Sequence, residues 1–573
     1  MIKASKEPKM TVSLILRADV KWLLALTLWL PAAALAEPIN MVPGQKILFL
    51  DDDVVQEKSG MTRTMHRLTK KGPVVKPDVP SDGGRLESYS MPLWDEREKV
   101  YKLIYVALPV EKSSMIMEKY AGGELGMAMA ISKDGIHWEK PDLEQGILFR
   151  GSTSNNRIFA IDRTYPWGKN WIQNVIYDPT DPDATRRYKG LLGATERAPI
   201  VSPDGLAWSK IDVAPIPSAD TSSLMHDRKN NRYVAFVKTG NKFGRAAAIS
   251  VSNDFSDWTN PKLCFGADEE DQKNAKDKIR KRMSDPGLQH PLWVDPDPET
   301  GWTPPKGVVH HPTWRAECYQ FAPFSYESVY LAVASMYYPT GMELYPYRTN
   351  TDGFGGTQLV MSRELENWTR LGNREDFIPP SRIDDGLVGV FDRGQIFAPE
   401  PIRMGDELWF YYTGYKSRQP LHSLNVDGSI RNPDSLTPEE KADVKDGWAA
   451  ICLGTLRLDG FVSLDAARRG YVQTKPIKVA GDVPYVNVDA ADGKEQMKVQ
   501  VEVLDEEGNV ISGFSREACT VIDTDGVRQQ VSWQGGSEFE YLVGRTVMFK
   551  IYLENARLYA FGTDFPPRTS FMP

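Results

Sequence analysis

Several stretches of this chain place a carboxylate at the head of a hairpin. Glu317 lies in Trp314-Arg315-Ala316-Glu317-Cys318-Tyr319-Gln320, and Tyr330 of the next apolar run stands thirteen positions later. Asp220 and Tyr233 repeat that spacing, and Glu87 and Tyr101 are one residue further apart. A fourth acid, Asp392, heads Asp392-Arg393-Gly394-Gln395-Ile396-Phe397. Acids at one position of a repeated hairpin converge if the repeats surround an axis. Carboxylates brought together disturb one another's ionisation, so the cluster calls for a bound cation or for acid–base chemistry. Glycosidic cleavage uses such a set. One carboxylic acid protonates the leaving oxygen, and one carboxylate serves as nucleophile or base. Unequal surroundings assign the two roles. The candidate catalytic residues are Glu317, Asp220, Glu87 and Asp392, in that order.

Their neighbours extend the candidate site. Arg85, Arg315 and Arg393 each lie within two residues of one of these acids. Guanidinium groups there can hold the carboxylates ionised, or take a sulfate or carboxylate of a sugar; surface ion pairing is the plainer role. His226 and the adjacent pair His310 and His311 fall near the hairpins without zinc-ligand spacing. Tyr89, Trp314, Tyr319 and Tyr415 offer flat faces for sugar rings, or for packing at a rim.

The elements that position these residues repeat. Ser132-Lys133-Asp134-Gly135-Ile136-His137-Trp138 recurs as 202–208, 252–258 and 362–368, with the pattern Ser-x-acid-x-x-x-Trp. Ser and an acid suit a tight turn in which side chains bond the backbone, and the Trp opens the next strand. Small-apolar strands precede several copies, such as Ala246-Ala247-Ala248-Ile249. The acid-headed hairpins precede the turns at Asp134, Asp254 and Glu364. A further inner hairpin spans 171–192, and a fifth begins at Asp392 and ends at the degenerate turn 458–461. Five such units predict a five-bladed β-propeller. The insertions 262–312 and 416–447 are expected to line or overhang one face. From about Thr474, regularly spaced alternating strands predict a β-sandwich. The expected division is 1–36, 37–472 for the propeller and 473–573 for the sandwich. One short helix is expected at 437–446, with Pro438 in its first turn.

The formal charge is −8 and no long basic run occurs, which argues against nucleic acid. Lys21, the apolar run 22–30 and Ala34-Leu35-Ala36 read as a secretory signal cleaved after Ala36. No later run reaches the ~20 apolar residues of a membrane span. Export to the periplasm or the exterior is expected. The four cysteines, Cys264, Cys318, Cys452 and Cys519, lack metal-ligand spacing, and their pairing is not readable.

The turns at Asp134 and Asp204, the opening Leu48-Phe49-Leu50-Asp51-Asp52 and Arg315-Ala316-Glu317-Cys318 together resemble the five-bladed glycoside hydrolases of the invertase and arabinanase type. More closely, they resemble family 32-like exported bacterial proteins. The resemblance covers about 46–465, and a C-terminal sandwich fits it. It implies Glu317, beside Cys318, as general acid, Asp220 as transition-state stabiliser and Glu87 as first-blade nucleophile. Sialidases also carry Asp-containing turns, but with another spacing, six blades and an arginine triad. The reading is thus a secreted hydrolase of an oligo- or polysaccharide. No cofactor is required, and a structural Ca2+ in the central channel is compatible with it. The alternative is a non-catalytic carbohydrate-binding or surface propeller, in keeping with the missing Asn-Asp-Pro-Asn motif. The oligomeric state is not readable.

Overall fold

The computed structural model describes residues 38–82, 84–108, 126–149, 151–160, 171–283, 308–309, 315–339, 342–343, 353–382, 390–416, 447, 449–491, 493, 496–535 and 538–565. The expected signal segment 1–36, the short helix 437–446 and the candidates His310, His311 and Trp314 lie outside the described residues.

The protein is built almost entirely of β-strands. Five antiparallel four-stranded units occur among the described residues. The first comprises Arg85–Glu87, Val100–Leu108, Gly126–Ser132 and Arg157–Ala160. The second comprises Ile172–Tyr177, Tyr188–Leu192, Glu196–Ser202 and Ser209–Lys210. The third comprises Ser222–Asp227, Arg232–Asn241, Gly244–Ser252 and Lys262–Gly266. The fourth comprises Glu317–Tyr326, Val329–Pro339, Gly353–Ser362 and Thr369–Arg370. The fifth comprises Gln395–Phe397, Glu407–Tyr415 and Ala449–Arg457, and its outer strand is Thr69–Val75 from before the first unit.

Side chains alternate along a strand, and here both faces are buried, so the strands read as near-continuous apolar runs. Tyr411 faces the core shared with the first unit, and Tyr412 the core shared with the fourth. An apolar core separates each pair of neighbours. Ile104 meets Val175, Leu191 meets Leu224, Phe236 meets Phe321, Leu331 meets Phe410, and Ile451 meets Tyr105. The last of these joins the fifth unit to the first and closes the ring, which makes the assembly a β-propeller. Polar bonds between inner strands fix their relative heights. Asn174 Nδ2 donates to the carbonyls of Tyr89 (3.2 Å) and Ser222 (2.9 Å), and Thr221 Oγ1 donates to that of Tyr319 (2.8 Å).

The repeated turns share one bonding scheme. In the second unit Gly205 N donates to Ser202 Oγ at 2.9 Å, and Leu206 N donates to Asp204 Oδ1 at 2.8 Å. Trp208 Nε1 donates to the Gly205 carbonyl at 2.8 Å. The fourth position is left-handed, which suits Gly205 (φ 83°). Phe255 (φ 66°) and Leu365 (φ 76°) adopt it too, and both side chains are fully buried, which offsets the strain. These turns are framework.

In the sandwich, Thr546–Asp564 is the central strand. On one edge its first part pairs with Lys498–Leu504 and its last part with Val483–Ala490, while Val462–Thr474 runs along the other edge. Asn555, at φ 53°, marks the change of partners. Val486, Val499, Val501, Phe549, Ile551 and Phe561 belong to its core. The segments Ile39–Asn40, Lys46–Leu48, Val55–Ser59 and Thr62–Met65 also pair here. Chain order had placed 39–65 and 462–472 with the propeller, but register assigns both to the sandwich. The Leu48 stretch is thus a sandwich strand. Where the modules meet, Lys46 Nζ binds both oxygens of Asp459 at 2.8 and 2.7 Å. Tyr326 Oη donates to Asp459 Oδ1 (2.7 Å) and Asn487 Nδ2 to Oδ2 (2.9 Å).

One helix was not foreseen, Glu269–Met283. It is charged around most of its surface and buries Ala275 and Ile279, one turn apart. Asp268 Oδ1 accepts from the backbone N–H of Glu270 and Asp271, and Asp271 Oδ2 accepts from the N–H of Asp268. That reciprocal cap is written in Asp268-Glu269-Glu270-Asp271. The four cysteines are free thiols.

Candidate active site

Glu87, Asp220 and Glu317 sit at the heads of inner strands in the first, third and fourth units. Glu87 is 1% exposed and Glu317 2%. Glu87 Oε2 accepts from Tyr89 Oη at 2.9 Å, and Oε1 lies against Arg85 Nη2. Arg85 in turn lies over the Tyr415 ring, 5.2 Å from its centroid. Glu317 Oε2 receives Arg245 Nη1 at 2.8 Å, and Oε1 lies 2.7 Å from Arg315 Nη2. Each acid is thus held from two sides, Glu87 by Tyr89 and Arg85 and Glu317 by Arg245 and Arg315.

Asp220 lies two residues before its strand Ser222–Asp227 and is left-handed, φ 46°. Its Oδ2 accepts from Lys238 Nζ at 2.8 Å. The side chain keeps 41% of its exposure although protein surrounds it, as at the floor of a recess. Burial alone would raise its proton affinity. Lys238 overrides that and holds the carboxyl below its ordinary value. Arg197, fully buried on the second unit, donates to the Asp220 carbonyl and, from Nε, to Ser222 Oγ at 2.7 Å. It has only neutral acceptors, and burial pushes it down to about 10.

Shared neighbours tie the three acids together. Tyr89, bonded to Glu87, feels the charges of Glu87 and Asp220, which together with its burial push it well above its ordinary value. Arg245, bonded to Glu317, also feels Asp220, and it packs over the rings of Tyr319 (5.1 Å) and Tyr337 (5.2 Å). The turn of the third unit makes the closest approach. A Cβ on Gly244, at φ 119°, would lie 2.6 Å from Glu317 Cδ.

Beneath the acids lies an aromatic layer. Phe397 is 5.9 Å from Tyr89, 5.2 Å from Tyr319 and 5.5 Å from Tyr415, and Trp171 is 6.2 Å from Tyr89. Along the inner strands is a small recess to which all five units contribute, including Ser90, Asn174, Ser223, Ala322 and Glu400. Burial raises Glu400 to about 7, opposed weakly by Arg228. Ca2+ takes six to eight oxygens, usually with several carboxylates. Glu400 is the one acid lining this recess, and no metal-binding cluster occurs among the described residues.

The remaining candidates lie elsewhere. Asp392 is taken up by Lys70 Nζ (2.7 Å) and Tyr412 Oη (2.9 Å), contacts internal to the framework of the fifth unit. Arg393 is buried beside it. His226 stacks on Tyr233 at 4.8 Å near Asp178, at the opposite end of the inner strand from Asp220. Burial lowers its proton affinity. Arg85, Tyr89, Arg315 and Tyr415 do join the acids.

Sequence reasoning missed Lys238, Arg245, Arg197 and Glu400. Lys238 and Arg245 were visible as basic residues interrupting apolar strands, in Val237-Lys238-Thr239 and Gly244-Arg245-Ala246. Such residues are rarely buried unless paired.

No family model matches the chain, and no curated protein matches it. Solved structures do align. An N-acetylgalactosamine deacetylase from F. plautii, in complex with blood group B trisaccharide, is 12% identical with a TM-score of 0.36, over 70% of this chain and 97% of that one. A glycosyl hydrolase from Bacteroides ovatus is 12% identical with a TM-score of 0.34, over 71% and 96%. A family 32 β-fructofuranosidase from Bombyx mori is 12% identical with a TM-score of 0.32, over 87% and 95%. Likeness at this level speaks to neither substrate nor mechanism.

Proposed function

We propose that the axial cleft cleaves glycosidic bonds of an oligo- or polysaccharide, with Glu317, Asp220 and Glu87 as its carboxylates. The observation that carries this reading is the gathering of three carboxylates, Glu87, Asp220 and Glu317, each paired with a cation and linked to one another through Tyr89 and Arg245. Asp220, held ionised by Lys238, suits charge stabilisation or nucleophilic attack. Glu317 suits proton delivery once a substrate displaces Arg315, whose side chain is 37% exposed. Tyr89, Tyr319 and Phe397 give a sugar ring a flat floor.

The leader-like segment 1–36 supports export, and no helix among the described residues is long and apolar enough to cross a membrane. A second reading, a carbohydrate-binding propeller without turnover, is favoured by the two guanidinium groups that cover Glu317. Screening glycans for release of new reducing ends separates the two. The hydrolase reading expects release that Glu317→Gln lowers by roughly 10²–10⁴-fold. Equal rates for wild type and variant would remove Glu317 from the chemistry, and binding without release would favour the second reading.

A further inference from the structure

We infer that the sugar unit at the Glu317 end of the cleft carries an anionic group, a carboxylate or a sulfate ester, received by Arg315 and Arg245. The inference rests on the carbohydrate reading of the same cleft and narrows its substrate class.

The argument is one of local charge balance. Glu87 faces one guanidinium, Arg85, and Asp220 faces one ammonium, Lys238. Glu317 faces two guanidiniums, Arg245 and Arg315. One of those two charges has no counter-ion among the described residues. Arg197 adds a further positive charge behind Asp220 with only carbonyl and hydroxyl acceptors. The surplus is not general basicity, since the chain as a whole carries −8. A partly desolvated charge without a partner is strongly unfavourable, and an anionic ligand relieves it.

The surplus is also reachable and aimed. Arg245 keeps 24% of its side-chain exposure and Arg315 37%. Arg245 is braced over Tyr319 and Tyr337, so little freedom is lost when it binds. Arg315 pairs with Glu317 through Nη2 at 2.7 Å while its Nε makes no hydrogen bond, so the guanidinium can exchange that carboxylate for a planar or tetrahedral anion. Transfer of Arg315 from Glu317 to such an anion releases Glu317 Oε1 to hold and deliver a proton. The charge of the substrate would thus assemble the acid that acts on it.

The test is isothermal titration of the wild-type protein with oligosaccharides in matched sets: a uronate-containing glycan, its carboxyl-reduced neutral counterpart and an O-sulfated counterpart. The expected result is that the tightest ligand is acidic and that its neutral counterpart binds at least about tenfold more weakly. Added NaCl should weaken only the acidic member. Arg315→Gln should erase most of the difference in affinity between the acidic ligand and its neutral counterpart; should the variant fold poorly, the salt series on the wild type stands alone. The uronate and sulfate arms decide which anion is read. A tightest ligand that is neutral, equal binding within every set, or no acidic binder in the panel overturns the inference. Turnover is followed separately. An acidic ligand bound tightly and never cleaved sinks the hydrolase reading and keeps the anion site, whereas cleavage of a neutral glycan without acidic preference does the reverse.

Discussion

Asp459 and Glu317 are equally hidden acids, 1% and 2% exposed, and both lie against basic side chains. They differ in what their oxygens do. Each Asp459 oxygen accepts from two donors, Lys46 with Tyr326 on one and Lys46 with Asn487 on the other. Glu317 is held by two guanidiniums, Arg245 at 2.8 Å and Arg315 at 2.7 Å, whose side chains keep 24% and 37% of their exposure. Burial and charge pairing are therefore poor guides to function by themselves. The partners of Asp459 are closed into a joint between modules, whereas those of Glu317 reach solvent and can exchange.

The sharpest way to break this comparison is to remove each acid in turn. Asp459→Ala leaves buried Lys46 with the more distant Glu327, 3.7 Å away, as its counter-ion and should lower stability by about 3–5 kcal/mol in chemical denaturation. Any activity per folded molecule should stay within about twofold. Glu317→Gln should lower turnover by roughly 10²–10⁴-fold and cost less stability than Asp459→Ala, because the amide keeps an acceptor for Arg245 and both guanidiniums reach solvent. If both variants lose stability alike, the distinction fails. Next in size is Gly244→Ala. Its Cβ would meet Glu317 Cδ at a φ that L-residues rarely adopt, so a loss of about 1–3 kcal/mol is expected, together with weaker ligand binding. Wild-type stability and affinity in that variant would show that the third unit does not position the acid.

The smallest effect concerns Glu400, raised from 4.5 to about 7 by burial. An acid with a raised folded value stabilises the fold most when protonated. Its contribution is complete below the unfolded value and is lost as pH rises through the folded one. The melting temperature should therefore fall between about pH 4.5 and pH 7.5, by an amount equivalent to about 1–3 kcal/mol. Glu400→Gln should flatten that slope, and an unchanged slope would place the titration elsewhere.

The propeller was legible because its signal is local. The Ser-x-acid-x-x-x-Trp turn writes its own hydrogen bonds within seven residues, and the acids at the strand heads follow from the same period. The partners of those acids were not legible. Arg245 and Glu317 belong to different units, and nothing in either local stretch specifies the other. Asp392 has the repeat position, yet Lys70 from the closing strand takes it up, and that strand lies far away in sequence. His226 looked close to Asp220 along the chain, but a six-residue strand carries it to the opposite end. The N-terminal strands were misplaced for the same reason, since linear order says nothing about which module supplies the pairing edge.

That closing strand has a consequence for how the molecule comes into being. Thr69 pairs with Thr455, so the fifth unit lacks its outer strand until segments from opposite ends of the propeller sequence have met. Contacts of such long sequence separation form late and slowly. The acids and their cations come from different units, Glu87 and Arg85 from the first, Lys238 and Arg245 from the third and Glu317 from the fourth, so their arrangement exists only once the ring is buckled. A sugar that recognises the assembled cleft would then bind finished molecules alone, and its binding would report the completion of folding as well as the presence of the site.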